Sequence, residues 1–246
     1  MHLSTLPYQF LANFKNHIGT YLIIILNVIS FGFQDHSFNV RSLLSEGANF
    51  APYSLTNQPY RLISSVFLHG GFIHLIINLY NLYFVGKTVE EKVGVIQFLH
   101  LYFFYGITAS IASCQFNLFT ISVGASGAIF GSYAFLFLKE WNESNTQRKS
   151  LLINFIIFAF INTIFIRHLN IDVYAHLGGT LAGACSFILL QVFQKSTTSL
   201  LLWVLPIGLY FFIPNTQPQY YSAYNYTIQK DDHIRSALNS YYFVSS

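Results

Sequence analysis

The sequence predicts an all-α protein that crosses a membrane several times as a bundle of helices. Of its 246 residues, 53% are hydrophobic and only 9% are charged, and the mean hydropathy is +0.47. A soluble domain carries about 25% charged residues to cover its surface. Because this chain carries far fewer, most of its surface must face lipid. The net charge of +3 is modest and its cations are scattered, which argues against a nucleic-acid partner.

Runs of mostly apolar residues predict the membrane spans, judged against the roughly 20 residues that a spanning helix needs. Six spans are predicted, at 18–33, 63–85, 93–113, 123–138, 151–166 and 174–193. The run at 200–213 is short and contains Pro206, so it is either a seventh span, which we favour, or an interfacial helix. The predicted organisation is a segment 1–17, a six-helix core 18–195, a seventh span in 196–214 and a soluble tail 215–246.

The loops predict how the bundle is oriented. Segment 34–61 is long and rich in turn-forming residues, which favours a structured loop at one membrane surface. Lys and Arg are in excess on the side that carries the N-terminus. The positive-inside rule therefore predicts a cytoplasmic N-terminus, with the long loop outside. The first span is expected to be retained rather than cleaved as a signal peptide. Short loops favour a bacterial inner membrane.

Two polar side chains within predicted spans form a candidate catalytic pair. Polar groups are costly within hydrocarbon, so each one is a functional candidate. Ser126 lies in the fourth span and His176 in the sixth, both near the outer ends of their helices. A serine hydroxyl becomes a good nucleophile when a base takes its proton, and an imidazole is a suitable base. Taken singly, Ser126 could instead be a packing residue, and His176 a packing or ion-pathway residue.

Glycine spacing predicts that these two spans touch. Gly127 and Gly131 are four residues apart, as are Gly179 and Gly183. Small residues at this spacing allow helix backbones to approach closely. Each glycine pair begins within one turn after its candidate catalytic residue. The helix contact therefore predicts that Ser126 and His176 lie close together.

A second polar pair lies in the second span. His74 and Asn78 are four residues apart, so they share one helix face. Acyl transfer needs hydrogen-bond donors aimed at the developing oxyanion, and an imidazole and an amide can supply them. Interhelical packing is the alternative role of this pair. Asp172 is predicted to cap a helix rather than to complete a triad, so the site is predicted to be a dyad.

Four motifs in this order resemble those of the rhomboid intramembrane serine proteases. They are RLISSVFLHGGFIHLIIN at 61–78, VEEKVG at 89–94, GASGAIFG at 124–131 and AHLGGTLAG at 175–183. The resemblance covers about 59–193. It implies that Ser126 is the nucleophile, that His176 is the base, and that His74 and Asn78 form the oxyanion hole. It also implies structural roles for Arg61 and Glu90.

The resemblance implies further features of the substrate path. Substrates would be membrane proteins cut in or near a transmembrane segment, without a cofactor or a metal. The first loop would be embedded in the membrane, and the fifth span would gate substrate entry. Some members carry Tyr where this chain has Phe130, which can stack on His176 but donates no hydrogen bond. The oligomeric state is not predicted.

Two other functions compete with the protease. A catalytically silent relative would bind or chaperone membrane segments, but such proteins usually lack the serine or the histidine. A small transporter could use His74, His100 and His176 as a proton relay. A transporter would leave unexplained the placement of the glycine pairs next to Ser126 and His176, so the protease is favoured.

Overall fold

The computed structural model shows a bundle of apolar helices. It describes residues 16–117, 120–142, 148–165, 172–193, 202–204, 206–208 and 210–211. The helices are α1 (Ile18–Phe33), α2 (Val40–Glu46), α3 (Ala51–Ser54), α4 (Arg61–Ser64), α5 (Phe72–Val93), α6 (Val95–Phe116), α7 (Ser126–Asn142), α8 (Arg148–Phe165) and α9 (Val173–Phe193). The predicted tail 215–246 and most of segment 1–17 lie outside the described residues, and the predicted seventh span lies partly outside them.

Helix α6 lies at the centre of the bundle. It packs against α5, α7 and α9, whereas α1 packs on α5 and α8 packs on α7. Its aromatic side chains Phe98, Tyr102, Phe104 and Tyr105 are fully buried. By contrast, α1 and α8 expose many large apolar side chains. A bundle with an apolar rim and an apolar core is the arrangement expected of a protein that contacts lipid. The all-α membrane bundle predicted from the sequence is thus confirmed.

Each of the first six predicted spans overlaps a helix of the described chain, but the second is not one straight helix. The predicted span at 63–85 also ends too early. The chain forms α4 and a 3-10 turn (Ser65–Phe67), then bends by 93° before α5. Gly71 lies at the bend with a φ of +152°, a conformation that glycine adopts readily. Helix α5 then continues to Val93, two turns beyond the predicted end.

Length and composition identify some of these helices as membrane-spanning. Val95–Phe116 and Val173–Val192 are each long and apolar enough, and the bent pair Arg61–Phe67 and Phe72–Val93 passes as one broken span. Helix α1 is apolar but shorter. The prediction of six or seven spans therefore stays a prediction.

Glu90 joins α1 to the end of α5. Its carboxylate is buried and accepts hydrogen bonds from the backbone N–H groups of Gly19 and Thr20, each at 2.8 Å, and from Thr20 Oγ1 at 2.7 Å. The first N–H groups of a helix have no intrahelical acceptor. Glu90 therefore caps α1 from a neighbouring helix, and its negative charge faces the positive end of the helix dipole.

Arg61 organises the loop between α1 and α4. Its Nη1 donates to the carbonyl oxygens of Leu44 at 2.7 Å and Ala48 at 3.0 Å, and its Nε donates to Gln58 Oε1 at 2.6 Å. Its guanidinium also lies over the ring of Tyr53. One buried cation thus ties together three separate stretches of the loop, as an arginine fork can do.

Candidate active site

The start of α7 and the first turn of α9 bring Ser126 and His176 together. Ser126 is the first residue of α7, and its Oγ lies 2.9 Å from His176 Nε2. The side chain of Asp172 accepts a hydrogen bond from Ala175 N at 3.1 Å, which caps α9 as predicted. Among the described residues, no carboxylate pairs with His176. The geometry is that of a hydroxyl beside a base without an acidic third member.

The glycines set the spacing between these helices. A Cβ atom built on Gly179 would collide with the carbonyl oxygen of Gly127, and one on Gly183 with that of Gly131. Helices α7 and α9 are therefore in backbone contact. The Cα hydrogens of Gly127 and Gly131 face the other way, against Ala109 and Tyr105 of α6 respectively. The four glycines thus serve two interfaces, whereas the sequence predicted only one.

His74 and Asn78 of α5 lie beside the residues that precede Ser126. Gly124 has a φ of +114°, in the region that favours glycine. A Cβ atom built there would lie 2.9 Å from His74 Nε2 and 3.5 Å from Asn78 Nδ2. Both side chains therefore flank the approach to Ser126, and a side chain at 124 would block them.

One long contact of His74 favours a single tautomer. The N–H of Gly70 donates to His74 Nδ1 at 3.4 Å. A neutral imidazole that accepts at Nδ1 carries its proton on Nε2. Nε2 is the nitrogen that faces Gly124. In that tautomer, His74 presents an N–H donor to the space next to Ser126.

Two further donors are available there. Asn78 is 1% exposed, and neither atom of its amide has a hydrogen-bond partner in the described part of the chain. The backbone N–H of Ser126 opens α7 and so has no intrahelical acceptor. A buried donor without a partner is costly in a folded protein, which is typical of a site that binds something. Together these groups can stabilise negative charge.

The segment before Ser126 is held by contacts that the sequence analysis missed. The backbones of Asn49 and Ser122 exchange hydrogen bonds of 3.0 Å and 2.9 Å, and Gly124 N donates to Ser65 O at 2.8 Å. The Asn49 side chain also donates to Ser110 O at 2.9 Å. Most of these bonds use the backbone, which leaves little signal in a single sequence.

His176 and His74 have different aromatic neighbours. Phe130 stacks on His176 with ring centroids 4.2 Å apart and planes at 20°, as predicted. His69 is fully buried, with its ring 5.1 Å from that of His74. The bend between α4 and α5 folds His69 inward, which the straight predicted span did not allow.

Comparison with known proteins identifies a family and several relatives that the chain resembles. The rhomboid domain family model matches residues 56–193. The chain is 37% identical over 138 residues to RHOMBOID-like protein 2 of Arabidopsis thaliana, covering 54% of this chain and 43% of that protein. It is 34% identical to Rhomboid protease GluP of Bacillus subtilis (strain 168), covering 67% of this chain and 33% of that protein.

A third relative comes from another kind of organism. Rhomboid-like protease 1 of Toxoplasma gondii is 30% identical, with 65% of this chain and 56% of that protein covered. The chain thus spans less than two thirds of the length of each of these relatives. Because they come from a plant, a bacterium and Toxoplasma, they do not favour the bacterial membrane that the sequence analysis expected.

Proposed function

The chain belongs to the rhomboid family, and from this premise we propose that it is a serine endopeptidase that hydrolyses peptide bonds within the membrane. The proposed catalytic dyad is Ser126 as nucleophile and His176 as general base. The observation that carries the proposal is the 2.9 Å contact between Ser126 Oγ and His176 Nε2, next to donors that nothing else in the described chain occupies.

The first half of the reaction forms an acyl-enzyme. His176 Nε2 takes the proton of Ser126 as Oγ attacks the carbonyl carbon of the scissile bond. The oxyanion that develops accepts hydrogen bonds from His74 Nε2–H, the Asn78 amide and the backbone N–H of Ser126. Such preorganised donors stabilise the transition state more than the ground state. When the intermediate collapses, His176 gives its proton to the leaving amine.

The second half restores the enzyme. A water molecule attacks the acyl carbon while His176 takes its proton, and the same three donors hold the second oxyanion. The ester bond to Ser126 breaks, Oγ recovers its proton from His176, and the new carboxyl terminus leaves. None of these reaction steps needs a cofactor.

We propose that the substrates are membrane proteins cut in or near a transmembrane segment. The support is that Ser126 and His176 lie at the ends of two apolar helices within a lipid-facing bundle. The proposed core is 18–195, with 196–214 as a seventh span and 215–246 as a soluble tail. Helix α8 is the proposed lateral gate. In the described part of the chain its one substantial neighbour is α7, so it can move with few contacts to break.

The test uses the purified full chain and a fluorophosphonate probe. Wild type is expected to be labelled and to cleave a reporter transmembrane substrate. Ser126→Ala and His176→Ala should lose both activities while their thermal unfolding stays close to wild type. Ser132→Ala is the matched control, because Ser132 lies in the same helix and its hydroxyl donates only to Ala128 O at 2.9 Å.

Two results would contradict the proposal. Cleavage by Ser126→Ala would show that another group is the nucleophile. A folded wild type that neither labels nor cleaves, but binds a transmembrane peptide, would identify the chain as a silent binding relative instead.

A further inference from the structure

Phe130 lies between the candidate base and helix α8. One face of its ring stacks on His176. Phe158 lies 5.0 Å from the Phe130 ring at 43°, and Phe155 lies 5.5 Å away at 84°. The imidazole therefore rests on a phenyl ring that two further phenyl rings hold in place.

Phe155 and Phe158 lie on the side of α8 that faces the bundle. Phe158 is 1% exposed, and it also packs against Tyr133 with ring centroids 5.7 Å apart. Phe155 packs against the same tyrosine at 5.5 Å. In contrast, Ile156 and Phe160 are 56% and 60% exposed. The helix thus contacts the catalytic body through an aromatic cluster that reaches the base.

We propose that Phe158 and Phe155 are positioning residues that hold His176 in line with Ser126 through Phe130. The proposal rests on the proposed function, since it assigns His176 the role of base. It gives α8 a task in the chemical step that is separate from admitting substrate. A simple gate would only obstruct access, so loosening it would speed up the reaction.

The physical argument starts from the chemistry of Phe130. Its ring has no hydrogen-bonding atom, so packing alone fixes its position. Removing the Phe158 side chain leaves a cavity, because the surroundings of a deleted side chain relax only partly. Phe130 can then move into that cavity. The imidazole would then lose its stacking surface, and the angle between Nε2 and Ser126 Oγ would vary. A displacement of about 1 Å can cost 100-fold in rate.

The test compares Phe158→Ala with Phe160→Ala, a lipid-facing change of the same residue type on the same helix. Phe158→Ala is expected to lower kcat for a reporter substrate and the labelling rate of Ser126 by about tenfold, with KM little changed. The labelling probe is small, so it does not depend on α8 moving aside. Phe160→Ala should behave as wild type. Phe158→Leu fills part of the space and should recover part of the rate.

A spectroscopic measurement separates this proposal from the proposed function. The ring of Phe130 shifts the NMR signals of the His176 ring, so Phe158→Ala should move those signals and Phe160→Ala should not. Unmoved signals, or labelling as fast as or faster than wild type, would overturn the positioning role. Moved signals in a protein that never labels would show that Phe158 holds the His176 ring in place but would reject the protease, and with it the role of His176 as base.

Discussion

Two asparagines on one face of α5 have opposite environments. Asn81 donates to Ile77 O at 2.9 Å and accepts from the hydroxyl of Tyr133 at 2.8 Å. Asn78, almost one turn earlier, has no partner for either amide atom in the described part of the chain. An unpaired buried polar group costs about 1–3 kcal/mol of stability. The fold therefore tolerates at Asn78 a cost that it avoids at Asn81.

This difference predicts opposite effects of the same substitution. Asn78→Leu should keep or raise the thermal stability while lowering kcat by about 10²–10³-fold, the usual loss for one oxyanion donor. Asn81→Leu should lower stability by about 1–3 kcal/mol, because it leaves the Tyr133 hydroxyl unpaired. Thermal unfolding and reporter cleavage of both variants provide the measurement. If Asn78→Leu retained full kcat, its proposed role in the oxyanion hole would be wrong.

The sequence could predict those residues of the site whose polar side chains lie within apolar runs. Ser126, His176, His74 and Asn78 stood out because they are polar side chains in apolar runs. Asn49 did not, because a polar side chain in a loop is ordinary, although its amide forms hydrogen bonds with Ser110, Ser54 and Cys114 in the structure. Residue identity thus revealed the chemistry, while the scaffold that aims it required the three-dimensional contacts.

At the scale of elements, glycine determines which helices touch. Gly179 lies against the carbonyl oxygen of Gly127, so the backbones of α7 and α9 are in direct contact. The spacing predicted this contact because small residues four apart form a flat face. The bend before α5 could not be placed, since two adjacent glycines permit a break without specifying its angle. The α4 segment therefore passed as the start of a straight span.

The glycine contact makes a sharp prediction for one added methyl group. Gly179→Ala should lower stability by about 1–3 kcal/mol and abolish labelling of Ser126, because overpacking forces the two helices apart. Gly32→Ala is the control, since a Cβ atom there meets nothing within 4 Å. Thermal unfolding in detergent and the fluorophosphonate probe are the measurements. Wild-type labelling by Gly179→Ala would disprove the close contact.

At the scale of the whole molecule, two ion pairs lie at the end of the bundle opposite the candidate site. Helix α7 begins at Ser126 and carries buried Glu140 in its last turn, about 20 Å away by helix geometry. Glu140 pairs there with Lys92, and His17 pairs with Glu91 at 2.6 Å. The orientation in which this Lys-rich end is cytoplasmic stays a prediction.

Cysteine accessibility can test that orientation. In a background with Cys114 and Cys185 replaced by alanine, Ser45→Cys and Ser150→Cys place a thiol at exposed positions near opposite ends of the bundle. A membrane-impermeant maleimide on intact cells should label Ser45→Cys alone. Ser150→Cys should label only after the membrane is permeabilised. The reverse pattern would place the active site on the cytoplasmic side.

The close packing of α7 against α6 and α9 also has a genetic consequence. Any single-nucleotide change that turns a glycine codon into that of another amino acid introduces a Cβ atom. At Gly127, Gly131, Gly179 and Gly183 that atom has no room. A random mutagenesis screen for inactive alleles should therefore recover these four codons as readily as those of Ser126, although none of the four glycines carries a reacting group.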